Sequence, residues 1–248
     1  MEISCVIITK NEEKNIERCL KSLQNVADEI IVIDSYSTDN TEAICQKYNV
    51  RFERLEWQGY SETKNYGNAL ARHSYILSVD ADEALSEELV RELLKLKKNE
   101  GEADAYFVNR ITNYCGKWIK HCGWFPDWKL RLWKKGVGSW TGNIHEQFDL
   151  IKGTRTKKMK SLLLHYSYYT TDDHRSQIER YATLMAEDNY RRGKKASLLK
   201  IAFSPVVKFL NTYFLRLGFL DGYYGFKVCA YSSYATWLKY SKTRKLYN

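Results

Sequence analysis

Two aspartates, Asp80 and Asp82, follow a short apolar run and have a single alanine between them. The run from Tyr75 to Val79 is typical of a buried strand, so both carboxylates would stand at the carboxyl end of that strand. Open α/β sheets bind their ligands at this end of the strands. Mg²⁺ and Mn²⁺ prefer oxygen ligands, and proteins commonly hold them with one or two carboxylates and the phosphates of a substrate. The pair therefore indicates a divalent metal site for phosphate chemistry, although isolated pairs of this kind are also common in turns.

The elements that would position the two aspartates alternate between strand and helix patterns over the first hundred residues. Short apolar runs predict buried strands at 3–9, 29–34 and 75–80, and residues 50–55 are a candidate for a further strand. Amphipathic spacing predicts helices at 10–23, 61–72 and 87–98, and polar residues at 37–42 supply N-cap candidates for another helix. Strands that alternate with helices of this length form a parallel sheet covered on both faces. The sequence therefore predicts an α/β fold with a mostly parallel central sheet.

The pattern changes after Asp104. Residues 112–141 are rich in Trp and Gly, and from about His174 the chain is mostly helical, basic and aromatic. We place a boundary near residue 170, between a catalytic domain at 1–170 and a helical C-terminal region at 171–248. Residues 151–248 contain 19 Lys and Arg against 6 Asp and Glu, whereas residues 1–150 contain 20 against 24. The basic region suits a nucleic acid, an anionic membrane or a phosphorylated acceptor as its partner, or it is a solvated basic face.

The segment from Leu198 to Leu220 is the most apolar part of the C-terminal region. Lys200, Lys208 and Arg216 interrupt it, so no window reaches the roughly 18 uninterrupted apolar residues of a membrane-spanning helix. On a helical wheel the three basic residues share one arc, and most of the apolar residues crowd the opposite arc. Such a helix either lies in a membrane interface or packs its apolar face on the catalytic domain, and the charge asymmetry favours the membrane.

Four segments carry a family resemblance: 6–12 (Val-Ile-Ile-Thr-Lys-Asn-Glu), 33–41 (Ile-Asp-Ser-Tyr-Ser-Thr-Asp-Asn-Thr), 64–69 (Lys-Asn-Tyr-Gly-Asn-Ala) and 78–83 (Ser-Val-Asp-Ala-Asp-Glu). In this order and at this spacing they resemble the motifs of family-2 glycosyltransferases. The resemblance implies a GT-A fold, a nucleotide-sandwich sheet that binds a nucleotide-diphosphate sugar with Mg²⁺ or Mn²⁺. Ser35 departs from the family pattern, because many members carry there a second Asp that binds the base.

Three later segments extend the resemblance over most of the chain: 129–133 (Lys-Leu-Arg-Leu-Trp), 142–146 (Gly-Asn-Ile-His-Glu) and 209–222. They are similar to segments of the lipopolysaccharide-core-type glucosyltransferases. This implies an inverting, metal-dependent enzyme that moves a hexose, namely glucose from UDP-glucose, onto a lipopolysaccharide-core or other cell-envelope glycan or glycolipid acceptor. No signal-peptide pattern precedes the first predicted strand, and the six cysteines suit reduced, cytosolic thiols. We expect a bacterial enzyme peripheral on the cytoplasmic face of the inner membrane, with an anionic membrane surface as a partner and no nucleic acid.

The resemblance assigns the donor site to the ends of the first, second and fourth strands. The nucleotide-sugar residues that it implies are Thr9, Asn11, Glu12, Asp34, Lys64 and Asp80. Asp34 has an alternative role as a cap of the next helix, and Lys64 offers a positive charge to the diphosphate. Asp82 would hold the metal, and Asp80 the ribose or a metal-bound water.

Sugar transfer also needs a base that takes the proton of the acceptor hydroxyl, and Glu146 and His145 are the candidates. Glu146 suits an inverting in-line displacement, in which one carboxylate deprotonates the nucleophile. Sugar rings stack their C–H faces on aromatic side chains, so the Trp-rich stretch is predicted to form the acceptor wall, although such side chains more often fill cores. The predicted acceptor residues are Trp118, Trp124, Trp128 and Arg131.

Two other functions fit parts of the sequence. A basic nucleic-acid- or membrane-binding module without transferase activity suits the C-terminal charge. No helix-turn-helix or zinc-finger pattern accompanies that charge, and residues 1–150 are net acidic. A dinucleotide-dependent oxidoreductase is excluded, because no Gly-x-Gly-x-x-Gly follows the first predicted strand.

Overall fold

A computed structural model of the chain describes residues 1–99, 101–142 and 146–247. The chain folds into two compact units. The first contains Met1–Arg110 and Asp127–Tyr166, and the second contains Ile111–Pro126 and Ser167–Asn248.

The secondary structure follows the predicted alternation in the first hundred residues and adds a series of strands after it. The strands are β1 (Ile3–Thr9), β2 (Glu29–Asp34), β3 (Arg51–Arg54), β4 (Tyr75–Asp80), β5 (Glu83–Leu85), β6 (Ala105–Tyr114), β7 (Lys117–Ile119), β8 (Asp127–Lys134), β9 (Gly138–Thr141), β10 (Gln147–Leu150) and β11 (Thr156–Tyr168). The helices are α1 (Ile16–Leu23), α2 (Thr41–Cys45), α3 (Tyr60–Leu70), α4 (Glu87–Lys98), α5 (Thr171–Arg191), α6 (Leu198–Leu210) and α7 (Gly222–Lys245). A π-helical turn at Asn211–Leu215 and a 3₁₀ turn at Gly218–Asp221 join α6 to α7.

The main sheet has the strand order β3-β2-β1-β4-β8-β6-β11-β5. Its first four strands are parallel, as predicted, whereas β8 runs antiparallel to both β4 and β6, and β5 antiparallel to β11. The α/β fold is therefore confirmed with a mixed sheet in place of a mostly parallel one. The reason is the connections: no helix lies between β6 and β11 in the described residues, and parallel neighbours need long crossovers that helices usually supply.

The strand register sets where the predicted site forms. Thr9 at the end of β1 pairs with Asp34 at the end of β2, and Ile8 pairs with Asp80 at the end of β4. The carboxyl ends of β1, β2 and β4 thus meet at one edge of the sheet. This edge is where α/β sheets bind ligands.

Alternate residues of β1 face two different cores, as a strand requires. Ile7 packs on one side in a cluster with Leu20 of α1, whereas Val6 packs on the other side in a cluster with Ile33. Helix α3 approaches Val6 so closely that a Cβ on Gly67 would lie 2.5 Å from the Val6 side chain. The glycine of the Lys-Asn-x-Gly segment is therefore needed to seat α3 on the sheet.

The second unit is built from α5, α6 and α7 together with residues 111–126. The predicted boundary near residue 170 lies next to the start of α5 at Thr171. Residues 111–126, which the sequence analysis assigned to the first domain, belong with the helices instead. The reason is a shared core, in which Tyr114, Ile119 and Cys122 pack against Val228 and Cys229 of α7.

One continuous helix, Leu198–Leu215, is long and apolar enough to cross a membrane by length and composition. The sequence predicted no such helix, because Lys200 and Lys208 leave no window of about 18 uninterrupted apolar residues. The helix nevertheless has the length and the composition of a membrane span, with the two lysines included. No residue of α6, the first part of this helix, is buried.

Candidate active site

The loops that follow β1 and β2 are joined by hydrogen bonds from side chains to the backbone. Asn11 adopts a left-handed backbone conformation, and its Oδ1 accepts a hydrogen bond from Thr38 N at 2.8 Å. Its own N–H donates to Ser37 Oγ, and Glu12 N–H donates to Thr41 Oγ1, both at 2.8 Å. The Ser-Thr-Asp-x-Thr motif therefore orders the loop that carries the predicted donor residues. Asn11 itself holds this loop through its side chain and its backbone N–H.

Thr9 and Asp34 lie side by side at the strand ends, and both are buried. The Asp34 carboxylate accepts hydrogen bonds from the N–H and the hydroxyl of Ser37. It shapes the turn after β2, and α2 begins several residues later at Thr41. The Thr9 hydroxyl has no hydrogen-bond partner within the described part of the chain. A buried polar atom without a partner costs free energy, so this hydroxyl is a good candidate to bind a ligand.

Lys64 of α3 is buried to 2% exposure and lies between two carboxylates. Its Nζ atom is 2.9 Å from Asp80 Oδ1 and 2.8 Å from Glu146 Oε1. The ammonium also lies 4.6 Å from the ring centroid of Trp140. The structure thus brings together three of the predicted site residues, one from each of three chain segments.

Arg131 of β8 holds the other oxygen of Asp80. Its Nη2 atom lies 2.6 Å from Asp80 Oδ2 and 2.6 Å from Glu83 Oε1, and Arg110 reaches the same Glu83 oxygen at 3.1 Å. Burial raises the pKa of Asp80, but the charges of Arg131 and Lys64 outweigh it and hold that pKa well below its usual range. Arg131 was predicted to bind the acceptor. It is 3% exposed, and its Nη2 atom lies between two carboxylates, where it fixes the position of Asp80. Its acceptor role stays a prediction.

Asp82 lies beside a histidine that the sequence analysis did not identify. His165 Nε2 is 3.0 Å from Asp82 Oδ2, and Tyr166 N–H donates to the Asp82 backbone oxygen at 2.8 Å. The antiparallel pairing of β11 with β5 delivers His165, because it aligns His165 with Glu83. No local motif marks this histidine, since it is 83 positions from Asp82 and only the sheet brings the two together.

Glu12 lies in the negative field of this group. Burial raises its pKa to about 7, and the charges of Asp82, Asp39 and Asp80 add to the effect against a hydrogen bond from Asn15. The negative charges of Asp82 and Asp80 thus reach Glu12 and add a smaller repulsion to the effect of its burial. A cation bound beside Asp82 would relieve this repulsion.

The donor atoms suit a hard divalent cation only in part. Within the described residues no three His, Cys, Asp or Glu side chains form a group that could hold a metal ion. Asp82 and His165 supply one oxygen and one nitrogen, whereas Asp80 is engaged by Lys64 and Arg131. Such an open pair fits Mg²⁺ or Mn²⁺ where the phosphates of a substrate and water complete the coordination.

The predicted aromatic acceptor residues are divided between the two units. Trp128 belongs to the first unit, where Lys158 Nζ lies 4.6 Å from its ring centroid. Trp118 on β7 and Trp124 belong to the second unit, and Trp124 packs in a cluster with Tyr114 and His174. Their acceptor roles stay predictions. His145, the alternative base, lies outside the described residues.

A model described as glycosyl transferase family 2 matches residues 4–163. The chain belongs to glycosyl transferase family 2. An uncharacterized glycosyltransferase of Rickettsia bellii (strain RML369-C) is 29% identical to this chain over 255 residues. The match covers 99% of this chain and 87% of the Rickettsia protein. The lipopolysaccharide core biosynthesis glycosyltransferase LpsC of Rhizobium meliloti (strain 1021) is 29% identical over 226 residues, covering 86% of this chain and 81% of LpsC.

Among solved structures, S. aureus TarS 1–349 matches this family-2 glycosyltransferase with a TM-score of 0.49 and 16% identity, over 100% of this chain and 91% of that chain. Family membership confirms the predicted GT-A class and establishes a glycosyltransferase. It excludes a module without transferase activity as the function of the chain. The site that the sequence motifs predicted lies at the carboxyl ends of β1, β2 and β4, where a nucleotide sugar is expected.

Proposed function

We propose that this enzyme is an inverting, metal-dependent hexosyltransferase that moves glucose from UDP-glucose onto a lipopolysaccharide-core or other cell-envelope glycan. One observation carries the proposal. Buried Lys64 joins Asp80, at the end of β4, to Glu146, the candidate base, so that a donor residue and an acceptor residue share one cation.

The donor nucleotide would lie over the ends of β1 and β2. The unpaired hydroxyl of Thr9 and the buried carboxylate of Asp34 lie there, within a loop that the Asn11 and Ser37 hydrogen bonds fix in place. A fixed cradle of this kind binds a rigid base and ribose at little entropic cost. Ser35 replaces the family's second base-binding Asp, so selectivity for uracil rests on fewer contacts.

The diphosphate would lie beside Asp82 and His165. These two side chains would hold Mg²⁺ or Mn²⁺, with the phosphate oxygens completing the coordination. The metal, when bound, stabilises the negative charge that develops on the departing diphosphate. Asp80, fixed by Arg131 and Lys64, would accept a hydrogen bond from the sugar or ribose.

Glu146 would act as the base. Lys64 holds its Oε1, whereas its Oε2 has no hydrogen-bond partner in the described ranges. One oxygen is thus anchored and the other is free to take the proton of an acceptor hydroxyl. His145 stays the alternative base.

The acceptor class is supported by the similarity to LpsC, whose name assigns it to lipopolysaccharide core biosynthesis. Trp128, in the first unit together with Glu146, offers an aromatic face for a sugar ring.

Calorimetry and product analysis test the proposal. Titration with UDP in the presence of Mn²⁺ should show binding, and EDTA should abolish that binding. At physiological salt, an oligonucleotide should bind no better than any other polyanion of the same charge. Mass spectrometry of products with UDP-, GDP- and dTDP-sugars should show hexose transfer from UDP-glucose to a core oligosaccharide. UDP binding that is independent of metal, or transfer from another donor alone, would refute the corresponding part of the proposal.

A further inference from the structure

Helix α6 and the π-helical turn that continues it leave a continuous apolar stripe exposed. Six large side chains recur at spacings of three and four and fall within an arc of about 100°. They are Leu199, Phe203, Val206, Val207, Leu210 and Phe214, and every one of them is exposed. We call these six residues the apolar face. Contiguous exposed apolar surface on this scale marks an interaction site.

The opposite side of α6 is packed within the second unit. Phe209 stacks on Tyr213 with ring centroids 5.2 Å apart, and both rings contact Phe226 of α7. Ser233 of α7 donates a hydrogen bond to the Pro205 carbonyl at 2.6 Å. The helix is therefore held in place by one side, and the apolar face is a fixed surface of a folded unit.

The chain segment that contains the apolar face is almost purely basic. Residues 189–248 contain 12 Lys and Arg and a single acidic residue, Asp221. Asp221 is buried, and its carboxylate is taken by the backbone N–H groups of Lys120 and His121. Lys200 and Lys208 are exposed beside the apolar face. This part of the surface thus combines exposed hydrophobic side chains with positive charge that no exposed acidic residue of the same segment offsets.

We propose that the apolar face binds the surface of an anionic lipid bilayer, with α6 lying in the interface. An amphipathic helix binds in this way, with its apolar side chains among the acyl chains and its lysines at the headgroups. The inference goes beyond the proposed transfer reaction and does not depend on it, because no acceptor or donor takes part in the binding.

The charge decides between a bilayer and a second copy of the chain. A two-fold dimer through the apolar face would bring the same basic surroundings of two subunits together. Like charges at close range oppose such an interface, whereas anionic headgroups compensate them.

The path of the chain decides between lying in the interface and spanning the bilayer. After Leu215 the helix ends, Leu217 takes a left-handed conformation, and a 3₁₀ turn leads directly back into α7. The packed side of α6 faces α7, which carries Lys227, Lys239 and Lys242. A helix tied along one side to a polar partner helix stays at the surface.

Vesicle co-sedimentation of the full chain tests the inference. The wild type should bind vesicles of phosphatidylcholine with phosphatidylglycerol at least ~10-fold better than vesicles of phosphatidylcholine alone, and high salt should reduce the difference. The double variant Phe203→Glu/Val207→Glu should lose at least ~10-fold in binding to the anionic vesicles. Both positions are 63% exposed, so the substitutions create no buried charge. The matched control is Ile151→Glu, at a position 61% exposed in the first unit, which should bind as the wild type does.

Further arms separate charge, association and activity. Lys200→Glu/Lys208→Glu should weaken binding to anionic vesicles and leave the apolar face intact. All variants should keep the wild-type circular dichroism and the wild-type affinity for UDP, so loss of membrane binding stays distinct from failure of the proposed transfer function. The inference is overturned if the double variant binds the vesicles as the wild type does. It is also overturned if sedimentation equilibrium shows a dimer that only the double variant dissociates while no protein binds vesicles.

Discussion

The ammonium of Lys64 lies 2.8 Å from the carboxylate of Glu146, and the two residues are 82 positions apart in the chain. The contact connects α3 to the segment that enters β10. Because Lys64 also binds Asp80, one buried cation compensates two carboxylates that the sequence analysis assigned to different substrates. Removing the cation would leave both carboxylates repelling each other in a partly buried setting.

Replacing this lysine should affect stability as well as activity. We expect Lys64→Met to lower the free energy of unfolding by about 3 kcal/mol or more, the usual cost of breaking a buried ion pair from one side. Urea denaturation followed by circular dichroism measures this change. Lys10→Met, at an exposed position of the loop after β1, is the control and should change stability by less than ~0.5 kcal/mol. Equal stabilities of the two variants would show that the buried ion pairs of Lys64 do not contribute to the free energy of unfolding.

The proposed base is tested by an isosteric change. Glu146→Gln keeps the size of the side chain and removes its ability to take a proton, so we expect the turnover rate to fall by at least ~10²-fold while UDP affinity stays within a few-fold of the wild type. Asp149→Asn, an exposed carboxylate of the same β9–β10 hairpin, should leave both values unchanged. Near-normal turnover of Glu146→Gln would assign the base to His145 or another group.

The metal pair is tested through binding instead of turnover. Asp82→Asn and His165→Ala should each abolish the Mn²⁺-dependent part of UDP binding in calorimetry, because each removes one of two donors. Arg131→Lys serves as a comparison, since it acts on Asp80 and should retain a metal-dependent signal. Metal-dependent binding that survives in both Asp82→Asn and His165→Ala would rule out this pair as the metal site.

Local pattern was sufficient for the part of the site that lies on the adjacent parallel strands β2, β1 and β4. The apolar runs before Thr9, Asp34 and Asp80 predict buried strands, and parallel pairing then brings these three ends together. Helix α3, which contains Gly67, was also predictable from its spacing. This half of the fold and the donor edge of the site could therefore be obtained from the sequence.

The other half depends on pairing that no local pattern encodes. His165 reaches Asp82 only because β11 aligns with β5, and Arg131 reaches Asp80 only because β8 pairs with β4. Arg131 was predicted to bind the acceptor, and its burial beside two carboxylates could not be inferred from the residues around it in the sequence. Trp124 shows the same limit, because aromatic side chains that suit a sugar equally suit a core.

The second unit should be sensitive to acid through one buried histidine. Burial lowers the pKa of His174 to about 4, and its Nδ1 lies 3.1 Å from the hydroxyl of Tyr114 in the aromatic cluster. Above pH ~6.5, the ordinary histidine pKa, the ring is neutral in both the folded and the unfolded chain, so its contribution to stability is fully present. As the pH falls from 6.5 towards 4, the unfolded chain binds a proton that the folded chain does not, and stability is lost. We expect a loss of about 2 kcal/mol between pH 7.5 and pH 5, at 1.36 kcal/mol for each pKa unit.

Urea unfolding at the two pH values, followed by circular dichroism, measures this loss of stability. His174→Gln should remove most of it, whereas His73→Gln, in the first unit, should retain it. An unchanged pH dependence in His174→Gln would show that other groups cause the acid sensitivity, because the variant has no imidazole at this position to bind the proton.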